Sequence, residues 1–364
     1  MKHLLSLFFI LNTCFLTDLF AFTDQELIAQ ANKPCGCLYA CCCDPLPETK
    51  IPCNKAFNAP LRYASCWGYF VTGSFLYYTA DMQNFSLGIL DNQIGGDFPL
   101  DGEAIHFSTS YDPGFQVSFG IDLGHDNWKT YIEYTRFHKT YNKSVSIGPD
   151  SFQEIFPFWV TTEIADRVNS TQGQWELGLD VIDWYLARRY YVGQFLTFNT
   201  FVGLRGMILD NCFTATYTLE NRPDVLASEN TIRSWGIGPR AGIDTNWTLC
   251  GNFKFFANGS FALIYQDFNK IKKKNTETDT FPLTTLEYKE DLSELCYDVH
   301  FSLGLGYDNY LVCDRWHYDL TIGYDFNRFF DQNVLRRYQS IDDNNILYGD
   351  LFLHGLTVKL AADF

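Results

Sequence analysis

The stretch FQVSFGIDLG at residues 115–124 alternates apolar and polar side chains without a break. The same alternation runs through YDVHFSLGL at 297–305 and WHYDLTIGYDF at 316–326. Successive residues of a β-strand point to opposite faces, so each stretch has one apolar face and one polar face. Strands of about 9 to 11 residues with this pattern are typical of barrels that face lipid outside and a polar lumen inside.

Weaker segments of the same kind bring the number of predicted strands to ten, and they lie at 67–79, 128–137, 175–187, 194–208, 232–245, 252–266 and 350–364. Short and long connections alternate between the ten segments. The short connections lie near 124–127, 188–193, 246–251 and 308–314, and the long ones near 80–114, 138–174, 209–231, 267–293 and 327–349. Outer-membrane barrels have short periplasmic turns and long external loops.

We therefore predict an all-β fold, a transmembrane antiparallel up-and-down β-barrel of ten strands in the bacterial outer membrane. The prediction allows a range of about 8 to 14 strands. A further hairpin around Phe156 to Ile164 would give twelve strands, which is the nearest alternative.

The amino terminus has the order of a secretory signal peptide: basic Lys2, an apolar run from Leu4 to Phe20, and the small residue Ala21. A helical membrane anchor needs about 20 apolar residues, and Asp18 interrupts this run, so we expect cleavage after Ala21. The predicted organisation is a signal peptide at 1–21, a Cys-rich periplasmic segment at 22–65 and the barrel at 66–364.

Composition excludes one class of partner. The chain is 46% hydrophobic and 17% aromatic, yet its apolar residues are dispersed after Ala21, as strands require. The formal net charge of −16 argues against a nucleic-acid partner, because phosphate binding needs clustered Lys and Arg. We interpret the single basic run, Lys272 to Lys274, as part of a solvated loop.

Tryptophan placement supports a lipid environment, because indole rings prefer the boundary between lipid and water. Seven tryptophans lie near predicted strand ends or turns: Trp67, Trp128, Trp175, Trp184, Trp235, Trp247 and Trp316. Only Trp159 lies within a long connection. The last strand ends on Phe364, which looks like the signal read by the bacterial barrel-assembly machinery, so that machinery and outer-membrane lipid are expected partners.

Three blocks are similar to the major outer membrane proteins of Legionella and chlamydia-like bacteria, and they are VIDWYLARRYYVGQFLTFNTFVGLRGM at 181–207, WGIGPRAGIDTNWTL at 235–249 and LFLHGLTVKLAADF at 351–364. The segment WGYFVTGSFLYYTADM at 67–82 is similar to that family's first strand. The resemblance covers roughly residues 66–364. It implies a porin-like barrel and a surface-exposed adhesin or antigen that contacts host surface molecules, and it supplies no catalytic residues.

Cysteines crowd before the first strand at Cys35, Cys37, Cys41, Cys42, Cys43, Cys53 and Cys66. In an exported protein this density predicts disulfides, and the contiguous Cys41 to Cys43 lack the paired spacing typical of a zinc site. Cys250 and Cys313 fall beside predicted periplasmic turns, on the side of the Cys-rich segment. We expect disulfides to neighbouring envelope proteins; a small intramolecular disulfide knot is the alternative.

Strand parity, meaning whether a residue falls on an odd or an even position of its strand, assigns a set of charged residues to the lumen. The predicted pore-lining acids are Asp122, Glu133, Glu176, Asp180, Asp244, Asp298, Asp319 and Asp325, and the predicted bases are Arg205, Arg240, Lys254 and Lys359. An excess of acids favours cations. The alternative is that these residues pair with one another and close a narrow interior, because barrels of about eight strands are already filled by side chains.

The preferred function is a general-diffusion or weakly cation-selective porin that also forms structural and adhesive surface. The alternative is a non-conducting barrel that acts as an adhesin or structural protein. A catalytic role would require a nucleophile, a base and an acid in contact. His300, His317 and Ser302 lie near acids in sequence, but alternate strand residues supply such groups in any polar lumen, so we expect no enzyme. We expect no cofactor or metal, and a homo-oligomer stays open.

Overall fold

The computed structural model describes residues 68–92, 101–107, 110–123, 126–148, 151–160, 167–192, 195–220, 225–250, 252–278, 282–311, 316–338, 344–346 and 348–363. The predicted signal peptide, the Cys-rich segment and Phe364 lie outside these residues. Within them, no helix is long and apolar enough to span a membrane.

The elements are β-strands, and their bounds are β1 Gly68–Met82, β2 Gly88–Asp91, β3 Gly102–Ala104, β4 Asp112–Asp122, β5 Trp128–Ser146, β6 Glu154–Pro157, β7 Val168–Val192, β8 Leu196–Leu219, β9 Val225–Cys250, β10 Phe253–Thr278, β11 Pro282–Leu311, β12 Trp316–Asn333, β13 Arg336–Tyr338, β14 Asn344–Ile346 and β15 Gly349–Asp363.

Ten of these strands form a closed ring in the order β1, β4, β5, β7, β8, β9, β10, β11, β12, β15. The first and last strands close it, with antiparallel pairing from Phe70 opposite Asp363 to Met82 opposite Leu351. The predicted ten-stranded up-and-down barrel is therefore confirmed. The twelve-strand alternative is wrong, because β6 pairs with β2 inside the barrel rather than entering the ring.

Several ring strands are much longer than a membrane crossing requires. β11 contains 30 residues and β9 and β10 contain 26 each. The predicted long loops at 209–231 and 267–293 are therefore wrong over most of their length, since strand pairing continues to Thr218 opposite Val225 and to Thr278 opposite Pro282. About 12 extra residues extend the wall by roughly 30 Å at the usual rise and tilt of barrel strands.

The outer surface of the ring has two zones. On β11, the outward residues from Leu295 to Leu305 are apolar and at least 39% exposed, which defines a belt of about 11 residues that suits lipid. Beyond Leu295 the outward positions become polar or charged, and Ser293, Asp291 and Lys289 are exposed there. The long-loop end of the barrel thus projects from the belt as an outer extension with a water-compatible surface.

Candidate functional site: the barrel interior

A cavity of about 330 Å³ occupies the interior from the short-turn end to the middle of the barrel. Asp122, Arg189 and Asp363 border it near the short turns. Leu179 and Leu353 form part of its roof, and both belong to the continuous apolar cluster of the outer extension. The cavity is therefore open toward one end of the barrel and covered toward the other.

Acidic and basic side chains are nearly balanced around this cavity. The acids are Asp122, Glu133, Asp244, Asp308, Asp319, Asp325 and Asp363, and the bases are Lys129, Arg189, Arg205, Arg240, Lys254 and Lys359. Several of them pair: Lys254 bonds to Asp319, and His317 Nδ1 lies 2.6 Å from Asp363 Oδ2. The lining offers little net charge to a passing ion.

Arg205, which also lines the cavity, links strands across the lumen. Its Nε and Nη2 donate to the two oxygens of Asp183 on β7 at 2.8 and 2.7 Å, and its Nη1 donates to Asp298 on β11 at 3.0 Å. The strands β9 and β10 lie between β8 and β11 on the ring, so the Arg205–Asp298 bond is a chord through the interior. All three side chains are buried.

Two further groups extend this network around the ring. Arg240 on β9 donates to Asp183 at 2.7 Å, to Ser260 on β10 at 2.8 Å and to the hydroxyl of Tyr185. On the opposite wall, Asp325 of β12 accepts from Tyr78 of β1 and from Thr357 of β15. Buried charges require such partners, because an unpaired charge away from water is expensive. The network thus fills the middle of the barrel with charged groups that are paired across the lumen.

Polarity is inverted in the outer extension, where the wall directs apolar side chains inward. On β8 the inward residues Leu209, Phe213 and Tyr217 are at most 1% exposed, and outward Asp210 is exposed. Trp175, which we expected at a lipid boundary, also points inward and is 2% exposed. Side-chain alternation continues unchanged along each strand; the surroundings change, because the outer surface there meets water and the interior is a packed core.

An inserted sheet, consisting of β2, β3 and β6, completes this core from the inside. Phe85, just before β2, lies 5.0 Å from Phe213 between ring centroids, and Trp159, just after β6, lies 4.6 Å from the same ring. The Trp159 indole nitrogen donates to the carbonyl of Ser86 at 2.9 Å. Gly173 of β7 faces Leu87 so closely that an added Cβ would lie 2.4 Å from its Cδ2. The inserted sheet and the wall together form an apolar plug.

The structure places most of the predicted pore-lining residues inside the barrel. Around the cavity are Asp122, Glu133, Arg205, Arg240, Asp244, Lys254, Asp319, Asp325 and Lys359. Asp298 is 1% exposed and lies in the network. The predictions for Glu176 and Asp180 are wrong: they lie on the outer face, where Asp180 accepts hydrogen bonds from Tyr134 at 2.5 Å and contacts His138 at 2.9 Å.

The same error explains why Asp183 was missed. Strand parity predicts that the even-numbered residues Glu176 and Asp180 of β7 face the lumen. However, Ile182 and Trp184 are 55% and 46% exposed, so the odd-numbered residues face inward. That parity places Asp183, Tyr185 and Arg189 inside. Parity on β5 likewise places Lys129 beside Glu133. The exposed apolar residues at mid-strand were the signal that could have identified all of them.

The two histidines considered for catalysis lie in separate environments. His300 Nδ1 is 3.5 Å from Arg240, whereas His317 contacts Asp363 near the short-turn end. Ser302 is buried in the wall of β11. The expectation that the protein is not an enzyme stays a prediction.

Among the cysteines whose side chains the structure describes, Cys212 and Cys296 are free thiols. Cys212 lies on the outer face of β8 beyond the belt, where burial raises the pKa of its thiol. Cys313 and the seven cysteines from Cys35 to Cys66 lie outside the described residues. Cys250 is the last residue of β9, and its side chain is not among those described. The disulfide assignments therefore stay predictions.

A closed ring of antiparallel strands with an apolar belt and a polar middle defines a β-barrel membrane protein. Residues 65–364 match the family described as Legionella pneumophila major outer membrane protein precursor, and the chain belongs to this family. The protein is thus an outer-membrane β-barrel of the bacterial cell. Because barrels of this class have short periplasmic turns, we expect its short-turn end to face the periplasm and its outer extension to face the cell exterior.

Among solved structures, the chain is similar to the outer membrane protease OmpT from Escherichia coli, with 8% identity, a TM-score of 0.46, and coverage of 82% of this chain and 96% of that chain. It is also similar to a Pseudomonas aeruginosa FadL homologue, with 8% identity, a TM-score of 0.24, and coverage of 85% and 93%. The Pseudomonas putida toluene transporter TodX matches with 9% identity, a TM-score of 0.20, and coverage of 81% and 89%. No curated protein sequence matches the chain.

Proposed function

We propose that this barrel is closed at rest and serves as a structural and surface-exposed protein of the outer membrane. The observation that carries the proposal is the apolar plug of the outer extension. A hydrated ion that crossed this region would have to give up its water among buried Leu, Phe and Trp side chains, which costs several kcal/mol or more.

The network below the plug supports the same function. Arg205 and Arg240 tie β7, β8, β9, β10 and β11 together through Asp183, Asp298 and Ser260. A diffusion pore needs an aqueous path, whereas these bonds cross the lumen. They favour a stiff wall that carries the outer extension roughly 30 Å beyond the lipid.

A second candidate function is a weakly cation-selective channel. It is supported by the charged cavity, which a permanently sealed barrel would not need, and it requires the plug to move. Strand parity predicts eight acids against four bases in the lumen, but seven acids and six bases surround the cavity. We therefore expect any such selectivity to be weaker than the sequence suggested.

Liposome swelling tests the proposal. Vesicles containing the refolded wild-type protein are diluted into isotonic arabinose, and swelling is followed by light scattering. We expect these vesicles to swell no faster than vesicles without protein. Vesicles that contain an open diffusion porin serve as the positive control. A swelling rate that rises in proportion to the amount of folded protein would contradict the closed barrel.

Disulfide links between the Cys-rich segment and neighbouring envelope proteins complete the proposed structural role. They are supported by the cysteine density of residues 22–65 and by the placement of the short turns on the periplasmic side. The exposed tips of the outer extension, where Phe152 is 79% exposed, would contact host surface molecules.

A further inference from the structure

The inserted sheet is held together by its own backbone. β2 pairs with β3 from Ile89 opposite Ala104 to Asp91 opposite Gly102, and with β6 from Gly88 opposite Pro157 to Asp91 opposite Glu154. Flanking bonds continue this pairing, since the amide of Leu87 donates to the carbonyl of Ile105 at 2.9 Å. These bonds make β2, β3 and β6 one hydrogen-bonded body.

The same sheet is joined to the barrel wall in a different way. Among the described residues, one strand pair joins the sheet to the ring: Ile155 of β6 lies opposite Val168 of β7. The other attachments are side-chain contacts that we call the seat. In the seat, the hydroxyl of Tyr217 donates to the carbonyl of Leu87 at 2.5 Å, and the amide nitrogen of Asn275 donates to the carbonyl of Trp159 at 3.2 Å.

The seat also contains a buried charge. Lys273 is 0% exposed, and its ammonium lies 5.3 Å from the centroid of the Trp159 ring. The wall therefore holds the sheet through the apolar contacts of the plug and a few side-chain bonds, without the continuous backbone ladders that join the strands of the ring.

We propose that β2, β3 and β6 leave the wall together as a lid and thereby open the outer end of the barrel to the cavity. The inference rests on the proposed closed resting state. It assigns the moving part and its latch: Tyr217 and Asn275 hold the lid by two hydrogen bonds, and the Trp159 ring lies over Lys273. Sub-global opening of a cooperative unit is expected where backbone pairing to the surroundings is sparse, and here the opening also parts the apolar contacts of the plug.

Hydrogen exchange measured by mass spectrometry on the folded, lipid-embedded protein tests the lid. Tyr217→Phe and Asn275→Ala each remove one latch bond without altering the lid itself. We expect exchange in the peptides that contain β2, β3 and β6 to accelerate by one common factor, about fivefold for either variant and about thirtyfold for both, with ring strands unchanged. Tyr265→Phe, at a lipid-facing tyrosine that is 51% exposed, is the matched control and should change nothing.

The contrary outcomes are distinct. Acceleration confined to the peptide beside the removed bond, or equal acceleration in β7 and β8, would overturn the lid, because the three strands would then not move as a unit. Steady solute flux through the wild-type protein would instead overturn the closed resting state, and it is measured independently by liposome swelling.

Discussion

Replacing the buried carboxylate of Asp183 by an amide perturbs the centre of the cross-lumen network. Asp183 is 1% exposed and accepts three charged hydrogen bonds of 2.7 to 2.8 Å, two from Arg205 and one from Arg240. In Asp183→Asn both guanidiniums remain buried while their shared anion is lost. Breaking a buried pair by removing one partner costs about 3–5 kcal/mol, so the folding equilibrium should fall by roughly a hundredfold to several thousandfold.

Reversible urea unfolding in lipid vesicles, followed by tryptophan fluorescence, measures this loss. Glu176→Gln on the same strand is the matched control, because Glu176 is exposed on the outer face and should change stability little. The reasoning would be refuted if Asp183→Asn were no more destabilising than Glu176→Gln. Such a result would mean that water already solvates the two arginines.

Three further outcomes are expected. Trp159→Ala leaves a cavity in the plug that costs about 3–5 kcal/mol of docking free energy, so brief conductance bursts should appear in planar bilayers, whereas lipid-facing Trp184→Ala should stay silent. Because burial raises the pKa of the Cys212 thiol, its alkylation at pH 7 should be slower than that of an exposed thiol and should rise with pH past the ordinary value; a rate that is flat from pH 7 to 10 would contradict this. Non-reducing electrophoresis of isolated envelopes should give oligomeric bands that reductant removes, and a purely monomeric band would exclude the cross-links proposed for residues 22–65.

The ring of ten strands could be predicted because the membrane imposes a simple rule on each crossing. Phe115, Val117 and Phe119 must face lipid, and they are 44%, 46% and 54% exposed on the outer surface of β4. The alternation of apolar and polar side chains in the sequence records this requirement directly. Register and closure follow once every crossing strand is identified.

The outer extension could not be predicted by the same rule, because both of its environments are reversed. Strand parity predicts Glu176 in the lumen, yet beyond the belt this charged side chain is exposed to water on the outside. The run Lys272 to Lys274 was interpreted as a loop for the same reason. In β10 the run alternates, with Lys273 buried against Trp159 and its two neighbours directed outward. Charge alone does not identify the inner face where solvent lies outside.

The inserted sheet is a consequence of tertiary packing that local patterns do not encode. Its strands contain only three or four residues each, and the residues that fix it, Phe85 and Trp159, lie outside regular strands. Their role emerges only when the wall supplies Trp175 and Phe213 as partners. In the sequence, the possible hairpin around Phe156 to Ile164 was a trace of the sheet, since it overlaps β6.

Single-channel recording of the refolded wild-type protein in a planar bilayer tests the closed barrel most directly. The account predicts a silent trace in symmetric potassium chloride at moderate voltage, together with openings when Tyr217→Phe and Asn275→Ala are combined. Frequent, long-lived openings of the wild-type protein with a reproducible unit conductance would contradict it.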